Sequence, residues 1–178
     1  IAALAAFMRD SRSSEAGLKF LIPSAISSAV LLYGMVIIYG FTGTTVLADI
    51  ATQLGGLLDG ESAFGGNALL FGVILVIAGF GFKISSVPFQ MWAPDVYEGA
   101  PYPITAYLAI GSRAAAFALI LRLVAEGFVP AVDRWDQWQL VLAVLAAVSM
   151  LVGNLVALAQ KNLRRLMAYS SIGHGGFI

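Results

Sequence analysis

Three ionisable residues stand in apolar surroundings and differ in what they can do with a proton: Lys83, Arg113 and His174. A lysine held away from water gives up its proton far more readily than one in solution, so Lys83 is able to exchange protons near neutral pH. An arginine stays protonated, so Arg113 acts only as a fixed charge that biases its neighbours. Histidine titrates in the physiological range, which suits His174 to a relay. Each also has a plainer reading. Lys83 reads equally as a lysine snorkelling to the edge of an apolar layer, Arg113 as half of a buried ion pair, and His174 as a hydrogen bond between helices. Arg122, with Glu126 four residues on, reads as a structural pair. With one histidine and no cysteine, neither a metal cluster nor a disulfide can be assembled, and Gly173, Gly175 and Gly176 lack the strand context of a nucleotide loop. No Ser-His-Asp set and no haem or flavin motif is present, so redox chemistry is not expected on this chain.

The elements that must position these residues are membrane helices. Of 178 residues, 60% are hydrophobic and 11% charged, and mean hydropathy is +0.88. A soluble domain carries about 25% charged residues, so most of this surface faces lipid or other apolar protein. The net charge is zero, and nothing suggests a nucleic-acid partner. Residues 1–8 read as the end of one helix, closed by Arg9, Asp10 and Arg12. Membrane-length runs follow from Phe20 to Leu47, Ser62 to Phe82, Pro103 to Val124 (interrupted by Arg113) and Gln137 to Gln160. Asp49 to Glu61, with Gly55, Gly56 and Gly60, reads as a connecting loop. A last apolar stretch follows Lys161, Arg164 and Arg165. No signal peptide is visible, and a chain running from Ile1 to Ile178 between apolar ends reads as an internal fragment. The expectation is an all-α, polytopic transmembrane helix bundle, a single domain over 1–178.

Depth follows from helical rise. Arg113 lies about 15 Å along the helix from Pro103, near the bilayer centre, where a charge costs at least about 2.5–3.5 kcal/mol and should face the bundle interior. Lys83 lies about 24 Å from Asn67, beside Ser85 and Ser86, and His174 about 13 Å from Arg165, with Ser170 and Ser171 as local partners. The loop with Arg9, Arg12 and Lys19 and the loop with Lys161, Arg164 and Arg165 fall on one side if four spans separate them. The other side carries Asp49, Asp59, Glu61, Glu126, Asp133 and Asp136, with Arg134 the only clear base. That asymmetry puts the basic loops on the cytoplasmic side or its equivalent, with Trp135 and Trp138 at the opposite interface. Gly79 and Gly81 are placed for close helix packing.

The stretch VPFQMWAPDVYEGAPYP, Val87 to Pro103, breaks the pattern. Pro88, Pro94, Pro101 and Pro103 each lack an N–H and bias their predecessors away from helix, so no continuous helix is expected there. It reads either as a loop outside the membrane or as a broken helix lining a polar cavity.

The run FKISSVPFQMWAPDVYEGAPYPITAYLAIGSRAAAFALILRL resembles the N-subunit (subunit 2) family of proton-pumping NADH:quinone oxidoreductase, respiratory complex I. GNLVALAQKNLRRLMAYSSIGHGGFI and AAFMRDSRSSEAGLKFLIPSAISSAVLLYG resemble the same family, so the likeness spans nearly the whole chain. Sister subunits and multisubunit cation/proton antiporters share the lysine-PF-W-PD pattern and match less closely around VYEGAP. The resemblance implies an antiporter-like fold of inverted repeats, a broken helix carrying Pro88, Phe89, Trp92, Pro94, Asp95, Tyr97 and Pro101, and a buried lysine at Lys83. It places Arg113 where the family has a second lysine, His174 on a family histidine, and Gln90 where many relatives have histidine. A family glutamate would fall upstream of Ile1.

What the resemblance implies about function is a proton-translocating subunit of a translocase, with Lys83, Arg113 and His174 on the proton path and no metal or cofactor on this chain. NADH, FMN, iron–sulfur clusters and quinone belong to the implied complex, whose other membrane-arm subunits, with lipid and protons, are the expected partners. The expected location is a multi-pass position in a bacterial plasma (inner) membrane. The rival expectations are a subunit of a multisubunit sodium or potassium/proton antiporter, and a purely structural membrane-arm subunit.

Overall fold

A computed structural model describes residues 2–7, 10–59, 63–128 and 135–177, with side chains for all of these except 56–59, 63–65 and 135–139. All regular secondary structure among the described residues is helical, without strands. A short helix α1 (Ala2–Ala5) precedes α2 (Ser11–Thr42), whose 32 residues extend for about 48 Å. Gly43 ends α2 at φ +66°, its N–H donating to the Tyr39 carbonyl at 2.7 Å, the left-handed cap that glycine alone adopts without cost. Then come α3 (Leu47–Asp59), α4 (Ala63–Ile84), α5 (Trp92–Gly99) and α6 (Tyr102–Tyr107). A π-helical turn, Leu108–Ser112, joins α6 to α7 (Arg113–Arg122), and a second, Leu123–Phe128, follows α7. The described chain ends with α8 (Trp135–Leu158) and α9 (Leu163–Gly175).

Four stretches are long and apolar enough to cross a membrane: Ser11–Thr42, Gly66–Ile84, Tyr102–Phe128 and Leu140–Leu158. They overlap the four runs read from the sequence, but the first helix begins at Ser11 and not Phe20, so Arg12 and Lys19, read as loop residues, lie within α2. Their outer faces carry exposed Leu32, Val36, Leu151 and Leu155, the apolar surface that a bilayer requires.

Lipid gives helices no hydrophobic reason to associate, so close backbone approach at small residues has to hold them together. An added Cβ on Gly34 of α2 would lie 2.7 Å from the Gly72 carbonyl oxygen of α4, and one on Gly79 the same distance from Leu31 Cβ. Ser27 donates to the Gly79 carbonyl at 3.0 Å. Residue numbers rise along α2 as they fall along α4, so the pair is antiparallel. The expected packing role of Gly79 is met across helices, while Gly81 packs against Phe89 of the following break. The pair α8 and α9 repeats the device, with a Cβ on Gly153 falling 2.5 Å from the Gly173 nitrogen.

Two expectations need correction. Leu47–Asp59 is a helix and not a connecting loop. Ala51 and Leu54 are buried on one face of it, and this spacing outweighs the glycines and acids that suggested a loop. The proline-rich stretch is also more helical than expected: irregular backbone is confined to Ser85–Met91 and the joint Ala100–Pro101, with α5 between them and α6 directly after. Pro94 is the third residue of α5 and Pro103 the second of α6, first-turn positions where a missing N–H costs nothing.

Lys19 and Arg165 meet on one carboxylate, Asp95, at 2.9 and 3.2 Å. The two basic loops therefore share an end of the bundle, as the four-span count requires. Arg9, Glu61, Asp133 and Arg134, and the side chains of Asp59, Trp135, Asp136 and Trp138, lie outside the described residues. Of the opposite-side charges, Asp49 and Glu126 are exposed, and Arg122 donates to Glu126 at 3.1 Å as its spacing predicts.

Candidate functional site

The site is organised around the break between α4 and α5. Helix α4 ends at Ile84, Ser85 takes a positive φ of 59°, and the Val87–Pro88 peptide bond is cis. A helix that stops inside the bundle leaves carbonyl and N–H groups that must find partners. The Gly81 carbonyl accepts from the Ser86 N–H at 2.9 Å, and the Phe82 carbonyl from the Ser85 N–H at 3.0 Å. The Phe82 carbonyl also receives the Trp92 indole N–H at 3.1 Å, and the Val87 N–H donates to the Ser149 hydroxyl of α8 at 3.0 Å. Trp92 is further fixed edge-on against Phe20, with ring centroids 5.1 Å apart. The broken backbone is thus tied to three neighbours, which makes it a built feature.

Lys83 occupies the last turn of α4, immediately before the break, and where the resemblance implied a buried lysine its side chain is exposed on a face that no described helix covers. Among the described residues it makes no ion pair. Arg113 is the reverse case. It begins α7, is 6% exposed, and its Nη1 donates to the carbonyl oxygen of Ser171 at 2.6 Å and to the Ser171 hydroxyl. The preceding π turn sets its direction, since one extra residue rotates everything after it by about 100° relative to an α-helix. The structure therefore buries Arg113 as expected, without a carboxylate partner among the described residues.

His174 lies in the last turn of α9, exposed, with Nδ1 2.8 Å from the Ser170 carbonyl and its ring edge-on to Phe177. Of the two serines expected beside it, Ser170 serves through its backbone, while Ser171 belongs to Arg113. The broken-helix residues divide by role. Phe89, Trp92 and Pro94 pack, Pro88 is exposed, and the Pro101 carbonyl caps α6 by accepting from the Ile104 and Thr105 N–H groups. Asp95 binds cations, and Tyr97 is buried against Arg113 and Ser171. Gln90 keeps a buried side-chain oxygen without a hydrogen bond among the described residues.

Sequence reasoning missed the lattice that locks α5 at the basic end. Asp95 takes Lys19 of α2 and Arg165 of α9, and Glu98 takes Arg165 at 3.1 Å and Asn162 at 3.0 Å. Arg164 donates to the Glu98 carbonyl at 2.7 Å and lies 4.1 Å from the centre of the Tyr102 ring. An excess of basic residues in both loops, facing two acids of an otherwise apolar motif, was the available signal. Helix α5 is only about 12 Å long, so these charges hold its outer end while the break lies one to two turns inside.

Beside the break lies an apolar cavity of 480 Å³, between α4, α7, α8 and α9, lined by Ile77, Phe80, Phe117, Ile120, Ala146 and Ser149 among others. Among the described residues no group of three histidines, cysteines or acids could hold a metal ion, and without cysteine the chain offers no thiolate to an iron–sulfur cluster.

The sequence pattern of the NADH:quinone oxidoreductase/Mrp antiporter transmembrane family matches residues 1–178. Subunit N of an NADH-quinone oxidoreductase from Desulforamulus reducens is 51% identical over 95% of this chain, which spans 34% of that relative. Among solved structures, respiratory complex I from Thermus thermophilus, with bound aureothin, matches 99% of this chain and 35% of its counterpart at 38% identity and a TM-score of 0.78. The Mrp complex from a Dietzia species matches 94% of this chain and 29% of its counterpart at 25% identity and the same TM-score. The chain thus spans about a third of the length of the curated relatives it matches.

Proposed function

Because the chain belongs to the NADH:quinone oxidoreductase/Mrp antiporter transmembrane family, we propose that it forms part of a proton-translocating subunit of an NADH:quinone oxidoreductase. It is a multi-pass membrane protein of helical, antiporter-like fold. The observation that carries the proposal is the position of Lys83, a titratable amine in the last turn of a membrane span that breaks directly after it.

Broken spans give ions access to backbone and water at membrane depth. In this reading Lys83 alternates between charged and neutral forms, and further helices of a longer subunit cover its exposed face. Arg113 supplies a fixed positive charge that disfavours protonation of groups near it, and His174 offers a second titratable station. Residues 1–178 act as one transmembrane unit. Oxidation of NADH, with FMN, iron–sulfur clusters and quinone, takes place on other subunits, and charge changes there shift the proton affinity of Lys83. The partners are other membrane-arm subunits, lipid and protons. In this reading the basic end faces the cytoplasm across a bacterial plasma membrane, an orientation that the positive-inside pattern supports.

The test uses the full-length subunit assembled in its complex, in sealed vesicles. Proton uptake driven by electron transfer is compared for wild type and Lys83→Ala, normalised to assembled complex. A severalfold loss at normal assembly is expected. Wild-type uptake would reduce Lys83 to a snorkelling anchor and overturn the assignment.

A further inference from the structure

Tyr97 is a deeply buried hydroxyl of α5, and neither the lattice nor the capping of the break uses it. It is 2% exposed, its oxygen makes no well-formed hydrogen bond among the described residues, and the Ser171 hydroxyl and the Arg113 charge are the polar groups close to it. Arg113 spends Nη1 on Ser171 and leaves Nε and Nη2 without a protein partner among the described residues. Unmet donors and an unmet phenol, from α5 and α7, therefore converge beside the Ser171 hydroxyl of α9. A buried donor left unmet is costly, and more so when charged.

The chemistry of these groups selects what belongs between them. A guanidinium only donates, whereas a phenol donates one hydrogen and accepts another. The complement is a small molecule that accepts from Arg113 and donates onward, which describes water. Buried waters of this kind satisfy polar groups that the chain cannot pair itself.

We propose that Arg113 and Tyr97 hold a water between them and that the Tyr97 hydroxyl carries protons along the path, an inference that rests on the proton-translocating function proposed above. Arg113 occupies the water's lone pairs, so the water's own hydrogens point away from the guanidinium and toward the Tyr97 oxygen. In the transfer step the water gives a proton to that oxygen as the phenol O–H bond breaks and its proton passes to the Ser171 hydroxyl. One O–H bond forms and one breaks at Tyr97, which stays neutral overall. The Ser171 hydroxyl passes its own proton to a second water on the His174 side, and the first water regains one from a third water behind it, so one proton enters the chain for each that leaves. Ser171 lies three residues before His174 on α9, neighbouring positions on a helix surface. Arg113 remains charged throughout and orients the water without releasing a proton.

Two measurements on the full-length subunit in its assembled complex test this. In a map fine enough to resolve waters, a water is expected within about 3.2 Å of Arg113 Nε or Nη2 and of the Tyr97 oxygen. A side chain or carbonyl from elsewhere in the subunit filling that position would overturn the inference, and this reading needs no variant to fold. In sealed vesicles, Tyr97→Phe keeps the buried ring and removes only the oxygen. We expect protons taken up per electron to fall severalfold per assembled complex. A merely structural tyrosine would lower assembly and leave that ratio unchanged, which also overturns the inference. Lys83→Ala measured alongside separates the two claims. Loss in Lys83→Ala with a normal ratio in Tyr97→Phe removes Tyr97 alone, whereas normal ratios in both remove the proposed function itself.

Discussion

Replacing Ser149 by alanine should loosen the break from a distance of 62 residues in sequence. Ser149 is 1% exposed on α8, and its Oγ accepts the Val87 N–H at 3.0 Å, a well-formed bond. Alanine removes the acceptor and leaves the part-buried N–H unpaired beside an apolar cavity, at a cost of about 1–3 kcal/mol. If the break opens as a local unit, its opening free energy falls by that amount. At 1.4 kcal/mol per tenfold, amide exchange should accelerate by roughly 5- to 150-fold. The assay is hydrogen–deuterium exchange on a peptide covering Ser85–Met91 from the assembled subunit. Ser149→Thr restores the acceptor, and its extra methyl has the adjoining 480 Å³ cavity to enter, so exchange should return close to wild type. Ser27→Ala is the control, because the Gly79 carbonyl it serves lies within α4, away from the break. Unchanged exchange in Ser149→Ala, or threonine failing to restore it, would refute the claim that this hydroxyl holds the broken backbone.

Gly153→Ala should cost assembled subunit, because its Cβ would meet the Gly173 nitrogen at 2.5 Å and backbone cannot yield as a side chain does. Gly40→Ala, with nothing within 4 Å, should assemble normally in the same membrane preparations. Trp92→Phe loses the indole bond to the Phe82 carbonyl and should lower the denaturation midpoint of the complex by the equivalent of about 1 kcal/mol. Asp95→Ala removes the carboxylate that Lys19 and Arg165 share and leaves them only Glu15 and Glu98 respectively, so exchange should rise at the first turns of both α5 and α9. A rise confined to α5 would show that Glu98 holds Arg165 by itself.

The spans were legible because the bilayer imposes length and apolarity on each of them, and local sequence meets both demands. Arg122 and Glu126 were legible for a similar reason, since four residues of helix bring them together. The break was read in the right place and drawn too long, because a proline that stops a helix in mid-run is harmless in its first turn, as Pro94 and Pro103 are. Helix α3 was lost behind its glycines and acids, although Leu47, Ala51 and Leu54 already mark one face. The partner of Arg113 was beyond reach, because Ser171 lies 58 residues away and a π turn that no composition announces decides which way the arginine points. The same distance problem hid Lys19 from Asp95, 76 residues on.

Those π turns bear on how the gene can change. The turns Leu108–Ser112 and Leu123–Phe128 bracket α7, and each holds one residue more than an α turn of the same span would need. A segment so built contains slack in its numbering. Losing a single codon within Leu108–Ser112 would let the turn close as ordinary α-helix, with the flanking helices still in line. Losing one from the middle of α2, where no such reserve exists, would swing every later residue of that helix by about 100°. The span that carries the buried arginine is thus the one in this bundle best able to absorb a one-residue deletion.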